Sequence, residues 1–367
     1  MLFPTSSRVI AAFAESIQSL KVLSSPPTTR STPFLFGTHD GNFHCDEALA
    51  LSLLSLHPQY QNNQFEVVRT RNVDYLKACD FVVDVGAVYD PATHRYDHHQ
   101  REFTGTFSAD YKTKLSSAGI IYKHFGKEIL ANILTQHQQS LPSPLVSDSL
   151  ETIVDTFYEK IYKDFIEHID GIDNGVTVAV SGELRYHVST TLSSRVNRFN
   201  PPWNQPFTEA TLNEGFKNAM LLTGQEFIEH VLDLYSAWWP ARSIVHHALR
   251  DRFTIEGNEE GKILLLPIAC PWKDHLFDLE DVSKGDNTIY VVYPDSGGSY
   301  RIQAVPVTPN SFESRKKLPE QWCGLRDDKL SEKAGVEGCI FIHATGFIGG
   351  HKTKEGALHL AREALKL

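Results

Sequence analysis

Four short segments gather side chains that bind metal ions and move protons. They are His39, His44 and Asp46 in HDGNFHCDE, Asp84 in VVDVG, Asp97, His98 and His99 in HRYDHHQ, and Asp170 and Asp173 in HIDGID. Taken singly, each has an ordinary explanation, since an Asp after a strand is commonly a helix cap or turn residue. Taken jointly they pose an electrostatic problem. Carboxylates a few ångströms apart repel by kcal/mol amounts at an effective dielectric of about 20, and none of the four segments carries enough base to offset them. A divalent cation resolves the conflict. Imidazole and carboxylate with no thiolate suit Mn²⁺, Fe²⁺, Co²⁺ or Zn²⁺, whereas an all-oxygen set would favour Mg²⁺ or Ca²⁺. The ligands suffice for two ions, and a two-metal site is best at phosphoester hydrolysis, activating water and neutralising phosphoryl charge.

For these segments to act together, the chain must bring them to one edge. From Phe34 short apolar runs alternate with helical stretches: FLFGT, a helix over 46–56, FEVVRT, VDYLKAC and FVVDVG. That alternation predicts parallel strands with crossover helices, whose ligands sit at the carboxyl ends of the strands. His39 and Asp84 are therefore expected on the same edge. Helices are expected over 117–134 and 151–169, the second with an apolar residue every fourth position. RFNPPWNQP, at 198–206, reads as the start of an inter-domain region, followed by helical stretches over 209–238 and 241–252. A second α/β unit begins near Phe253, with an antiparallel hairpin closed by DSGGS, a strand GCIFIHA, a glycine loop FIGGHK and a last helix over 354–366.

Composition narrows the function. The 367 residues carry 45 acids against 35 bases, a net charge of −10, which argues against a broad basic face for nucleic acid. The longest apolar runs, such as Ile263 to Cys270, are far too short to span a membrane. Five scattered cysteines without CxxC spacing fit a reducing, intracellular setting rather than a disulfide framework. Residues 1–33 hold Arg8, Lys21 and Arg30 but a single acid, Glu15, and resemble an organelle transit peptide, with a disordered tail as the other reading.

Asp97-His98-His99, preceded by Asp84 at a strand end and by the His/Asp motif after the first strand, resembles the DHH phosphoesterase superfamily. More closely, GTHDGNFHCDEALA, RYDHHQREF, TKLSSAG, NPPWN, RIQAVP and HATGFIGGH resemble the melanocyte-proliferating-gene exonuclease family from about Phe34 to the C-terminus. The resemblance implies an α/β fold with a parallel-sheet DHH-type domain over 34–200, a helical linker over 201–252 and a smaller mixed-sheet domain over 253–367, the active site lying in the cleft between the domains. It implies a Mn²⁺-dependent 3′ to 5′ exoribonuclease acting on single-stranded RNA ends, with Mg²⁺, Co²⁺ or Zn²⁺ as alternatives, in the mitochondrial matrix and in the nucleus or nucleolus. In many relatives the first motif places Asp four residues after His; here Phe43 stands there and His44 follows. By the same resemblance His39, His44, Asp46, Asp84 and His98 are metal ligands, Asp84 bridging, and Asp173 is preferred to Asp170 for the fourth motif. Asp97, His98 and His99 are the catalytic tripeptide, and Gly349, Gly350 and His351, with Arg301, Arg315 and Lys316, are expected to grip substrate. Two other readings stand beside it: a small-molecule phosphoesterase with the same site, or a metal-binding scaffold without turnover.

Overall fold

The structure is a computed structural model describing residues 8–62, 64–141, 146, 148–179, 184, 186–281 and 287–367. The chain divides into two compact units, Met1–Tyr235 and Ser236–Leu367.

The first unit runs α1 (Arg8–Ser19), β1 (Val22–Leu23), β2 (Phe34–Thr38), α2 (Cys45–Ser55), β3 (Phe65–Arg69), α3 (Val73–Lys77) and β4 (Phe81–Val83). It continues with β5 (Tyr89–Asp90), β6 (Arg95–Tyr96), α4 (Ser117–Gln139), α5 (Leu150–Ile161), α6 (Glu167–Asp173), α7 (Leu192–Asn197) and α8 (Glu209–Asp233). Its six strands lie in the order β1-β3-β2-β4-β6-β5, every neighbour parallel except the β5/β6 pair. From β2 the chain crosses to β3 on one side, and from β4 it proceeds to β6 on the other. The strand order thus reverses between β2 and β4, and open α/β sheets bind ligands at the carboxyl ends of such a pair.

Every residue of α2 is buried, against α4 and α8 among others. A helix buried all round is a core helix. The region over 201–252, expected as a linker, proves otherwise. Its helix α8 buries Phe216, Met220, Phe227 and Val231 within the first unit, and Ser52 Oγ on α2 donates to the Met220 carbonyl at 2.8 Å. The division of the chain falls after α8.

The stretch before Phe34 also departs from a tail. Residues 1–7 lie outside the described residues, but α1 buries Val9, Phe13 and Ile17 against α8 and α4. The Phe13 ring fills the space beside Gly224, where a Cβ would stand 2.1 Å from the ring. After α1, β1 forms the edge of the sheet beside β3, Lys21 reaches Glu66 at 3.2 Å, and Arg30 binds Asp80 at 2.6 Å.

The helix expected over 151–169 is interrupted. Between α5 and α6 a π-turn, Tyr162–Ile166, inserts extra backbone that the apolar spacing does not disclose. Such turns are frequent at functional sites.

The second unit runs α9 (Pro240–Asp251), β7 (Ile263–Leu265), α10 (Lys273–Leu279), β8 (Tyr290–Pro294), β9 (Tyr300–Ala304), α11 (Asp327–Ala334), β10 (Cys339–Ile342), β11 (Ile348–His351) and α12 (Lys354–Lys366). Its sheet has the order β10-β11-β9-β8-β7, antiparallel except for β7/β8. The expected hairpin is β8 and β9. The expected glycine loop is instead part of a strand: Gly349 and Gly350 belong to β11, paired on both sides, and a Cβ on Gly349 would stand 2.3 Å from Ile342. Glycine there admits a neighbour rather than forming a turn. Among the described residues no helix is long and apolar enough to cross a membrane.

Candidate metal centre

β2, β4 and β6 end side by side, and each is followed at once by a site residue: His39 after Thr38, Asp84 after Val83, and Asp97-His98-His99 after Tyr96. His44, Asp46 and Glu47 come from the start of α2. Glu47 accepts the His44 backbone N–H at 2.8 Å, closing the helix end, and lies 2.9 Å from His39 Nε2.

Asp84 occupies the middle. Its Oδ2 is 3.3 Å from His39 Nε2 and its Oδ1 is 3.3 Å from His98 Nε2, so one oxygen faces each ring. Burial alone would raise its pKa, but the neighbouring imidazoles of His39 and His98 together outweigh burial and hold the carboxyl below the usual range. Burial likewise works to lower the pKa of His39, yet Asp84 and Glu47 push it up to about 10. Asp46 is the opposite case. Burial, then the charges of Asp84 and Asp173, raise it well above an ordinary carboxyl.

Asp97 and His99 form a separate couple. Asp97 accepts the Ala87 N–H at 2.6 Å through one oxygen and the His99 N–H at 3.1 Å through the other, which also lies 2.7 Å from His99 Nδ1. That hydrogen bond raises the His99 pKa, although the side chain is 60% exposed. Asp84 and Ala87 both have left-handed backbone, φ +60° and +54°. Strain of this kind in non-glycine residues collects at functional sites.

The two acids of the fourth segment part company. Asp173 points into the cluster, 3.2 Å from His98 Nε2, and burial raises its pKa. Asp170 is fully buried elsewhere, accepting from Ser116 N–H at 2.9 Å, Ser116 Oγ at 2.7 Å and Tyr162 Oη at 2.9 Å. Burial pushes it up to about 7. Through Ser116, the residue capping α4, Asp170 braces the helix start, where Ser117 Oγ donates to Asp84 Oδ1 at 3.0 Å and Ser117 N–H to Asp46 at 3.4 Å. The positive end of α4 therefore faces the acidic cluster.

Among the described residues, three groups of ligand atoms lie within 4.8 Å of one another: His39, His44, Glu47 and Asp84; Asp84, His98 and His99; and His44, Asp46 and Asp173. Asp46 Oδ1 and both ring nitrogens of His98 are buried without a hydrogen-bond partner among those residues. A buried polar atom without a partner is costly, and a cation at this point would take Asp46 Oδ1 and one ring nitrogen of His98. The donor set suits first-row divalent ions. Cys45 does not compete, because burial pushes its thiol up to about 12, and a thiol is a poor ligand beside a thiolate.

The residues expected to grip substrate are committed within the second unit. His351 is buried, its Nε2 2.8 Å from the Glu337 carbonyl and its Nδ1 accepting the Thr353 N–H at 3.0 Å. Arg315 binds buried Glu280 at 2.6 Å and the Thr288 carbonyl at 2.9 Å, Lys316 donates to the Leu365 carbonyl at 2.8 Å, and Arg301 pairs with Asp295. None of them belongs to the three ligand groups.

Sequence reasoning missed Glu47, Ser116 and Ser117. Glu47 carried a usable signal, an acid three residues into a helix after a capping position. The two serines lie in TKLSSAG, one of the strings that carry the family resemblance, but nothing in that string assigns them a role.

The MYG1_exonuc family model, described as an uncharacterised protein family (UPF0160), matches residues 35–365. The human MYG1 exonuclease is 48% identical over 353 residues, covering 93% of this chain and 89% of its own length. The rat MYG1 exonuclease is 46% identical over 347 residues, covering 93% and 87%. Among solved structures, RecJ in complex with Mn²⁺ from Thermus thermophilus covers 100% of this chain and 55% of its own at 13% identity and a TM-score of 0.25, too loose a superposition to carry an argument.

Proposed function

The chain belongs to the MYG1 exonuclease family, and on that premise we propose that it is a Mn²⁺-dependent hydrolase removing nucleotides from the 3′ end of single-stranded RNA. The observation that carries the reading is Asp84, one oxygen toward His39 and the other toward His98, amid buried atoms that lack partners. His39, His44, Glu47 and Asp84 would hold one ion, and His98, sharing Asp84, a second. Asp46 and Asp173 complete the cluster. When bound, such ions lower the pKa of water and neutralise charge on a phosphoryl oxygen.

The chain's own groups do the rest. Ser117 Oγ and the start of α4 keep Asp84 and Asp46 in place. Asp97 fixes the His99 ring and favours its protonated form. An exposed imidazolium beside the cluster can hold a phosphate oxygen or give its proton to the departing 3′ oxygen. The expected sites in mitochondria and nucleus belong to the same reading and are checked by imaging the tagged full chain.

A small phosphoester is the second reading, favoured by the net charge of −10, which repels a long polyanion outside the site. One assay separates the two. Wild type and the Asp97→Ala, His98→Ala double variant are incubated with 5′-labelled RNA and with pyrophosphate, with and without Mn²⁺. A ladder shortening from the 3′ end supports the exoribonuclease, and phosphate release alone supports the small phosphoester. No turnover of either substrate in Mn²⁺ overturns both.

A further inference from the structure

Two cavities flank the acidic cluster within the first unit. The smaller, about 290 Å³, is lined by Phe43, Asp46, Ile172, Asp173, Ser193 and Asn197 among others; the larger, about 490 Å³, opens from His39, Asp84 and His99 onto Arg71, Val73 and Leu76. Among the described residues, Arg71 is the one guanidinium or ammonium in either lining.

Half of the Arg71 fork is already anchored. Its Nη1 is held by the carbonyl and carboxylate of Asp40, while its Nη2 lies 3.3 Å from His39 Nδ1. Nδ1 is also 3.0 Å from the Asp40 carbonyl. Whether His39 is an imidazolium or uses Nε2 for a metal, its Nδ1 must carry hydrogen and donate to that carbonyl. It therefore cannot accept from Arg71. Nη2 is a donor held at the rim of the cluster and matched to no acceptor among the described residues there, with the geometry to take a phosphate oxygen.

Beyond Arg71 the cavity changes character. Its wall is Val73, Leu76, Val85 and Ala87, aliphatic side chains with no group that could read a base edge. The volume lies within the range of small-molecule sites. A cation at the mouth, an apolar wall behind it and a metal-binding edge between them match one unit of chemistry: a phosphate attached to a sugar and a flat base.

We propose that this cavity is a subsite for a single nucleoside monophosphate, its phosphate on Arg71 and its sugar and base against Val73, Leu76 and Val85, without preference among bases. The inference rests on the phosphodiesterase reading and names where its terminal nucleotide lies. The test is calorimetry on the full chain, titrated first with Mn²⁺ alone and then with AMP, UMP, adenosine or inorganic phosphate. AMP and UMP should bind within about threefold of each other and more tightly than phosphate or adenosine. In protein saturated with Mn²⁺, Arg71→Ala should weaken both nucleotides by about tenfold or more with Tm unchanged. Val73→Glu, at an exposed position in the first turn of α3, should weaken the nucleotides several-fold more than it weakens inorganic phosphate. Equal AMP binding by wild type and Arg71→Ala overturns the subsite, as does phosphate binding as tightly as AMP. Arg71-dependent AMP binding by a protein that cleaves no RNA leaves the subsite standing and overturns the exonuclease.

Discussion

Two histidines, His98 in the first unit and His351 in the second, are equally buried and oppositely used. Both ring nitrogens of His98 lie in the interior without a hydrogen-bond partner among the described residues, amid Asp46, Asp84 and Asp173. Both ring nitrogens of His351 are bonded to backbone, at Glu337 and Thr353. A buried donor or acceptor left unmatched costs about 1–3 kcal/mol, so a fold tolerates several together only where a ligand supplies what is missing. A satisfied ring, by contrast, is a fastening for the chain around it. The difference separates a site from a scaffold more sharply than residue type does.

The largest effect that would break this contrast belongs to Asp46→Asn. Loss of this carboxylate should lower RNA hydrolysis by about three orders of magnitude or more. In chelator-treated protein the same change should hold or raise Tm, because burial and its acidic neighbours disfavour the ionised form. A Tm drop there would show that Asp46 fastens the fold after all. Next comes Ser117→Ala, which removes a hydrogen bond to Asp84 and should weaken Mn²⁺ binding by about 10–100-fold in calorimetry. Unchanged affinity would remove the brace from the site. His351→Ala should do the reverse of both, lowering stability by about 1–3 kcal/mol while leaving Mn²⁺ affinity unchanged and kcat within a few-fold. A raised KM with unchanged stability would return His351 to substrate binding.

The last effect is a slope. Asp170 titrates near 7 in the folded protein against 3.8 for a free carboxyl, so the folded state holds the proton more tightly. Its contribution to stability is complete below about pH 4 and is lost as pH rises through about 7. Asp170→Asn should remove that component, changing the dependence by up to about 1.4 kcal/mol per pH unit between those limits, read from urea unfolding of metal-free protein. Parallel curves for the two proteins would show that Asp170 is ionised throughout.

Much of the first unit was legible because buried parallel strands are apolar runs, and a polar residue just past one, such as His39 or Asp84, stands out. What escaped did so for local physical reasons. Glu47 and Ser117 look like ordinary helix-start residues, and only the convergence of α2 and α4 gives them a second partner. Arg71 lies between motifs and joins the site through a turn at Asp40. The helix α8 reads as a connector because Gly215, Ala219 and Gly224 dilute its apolar stripe, although small residues are what let another element approach. In β11 two adjacent glycines contradict strand propensity, and sheet pairing overrides it.

The seat of Phe13 beside Gly224 has a consequence in time. The two positions are roughly 200 residues apart, and at about 5–20 residues per second the ribosome needs on the order of ten to forty seconds to pass from one to the other. Throughout that interval the residues of α1 exist and their socket on α8 does not. Val9, Phe13 and Ile17 wait that long for the α8 face that covers them.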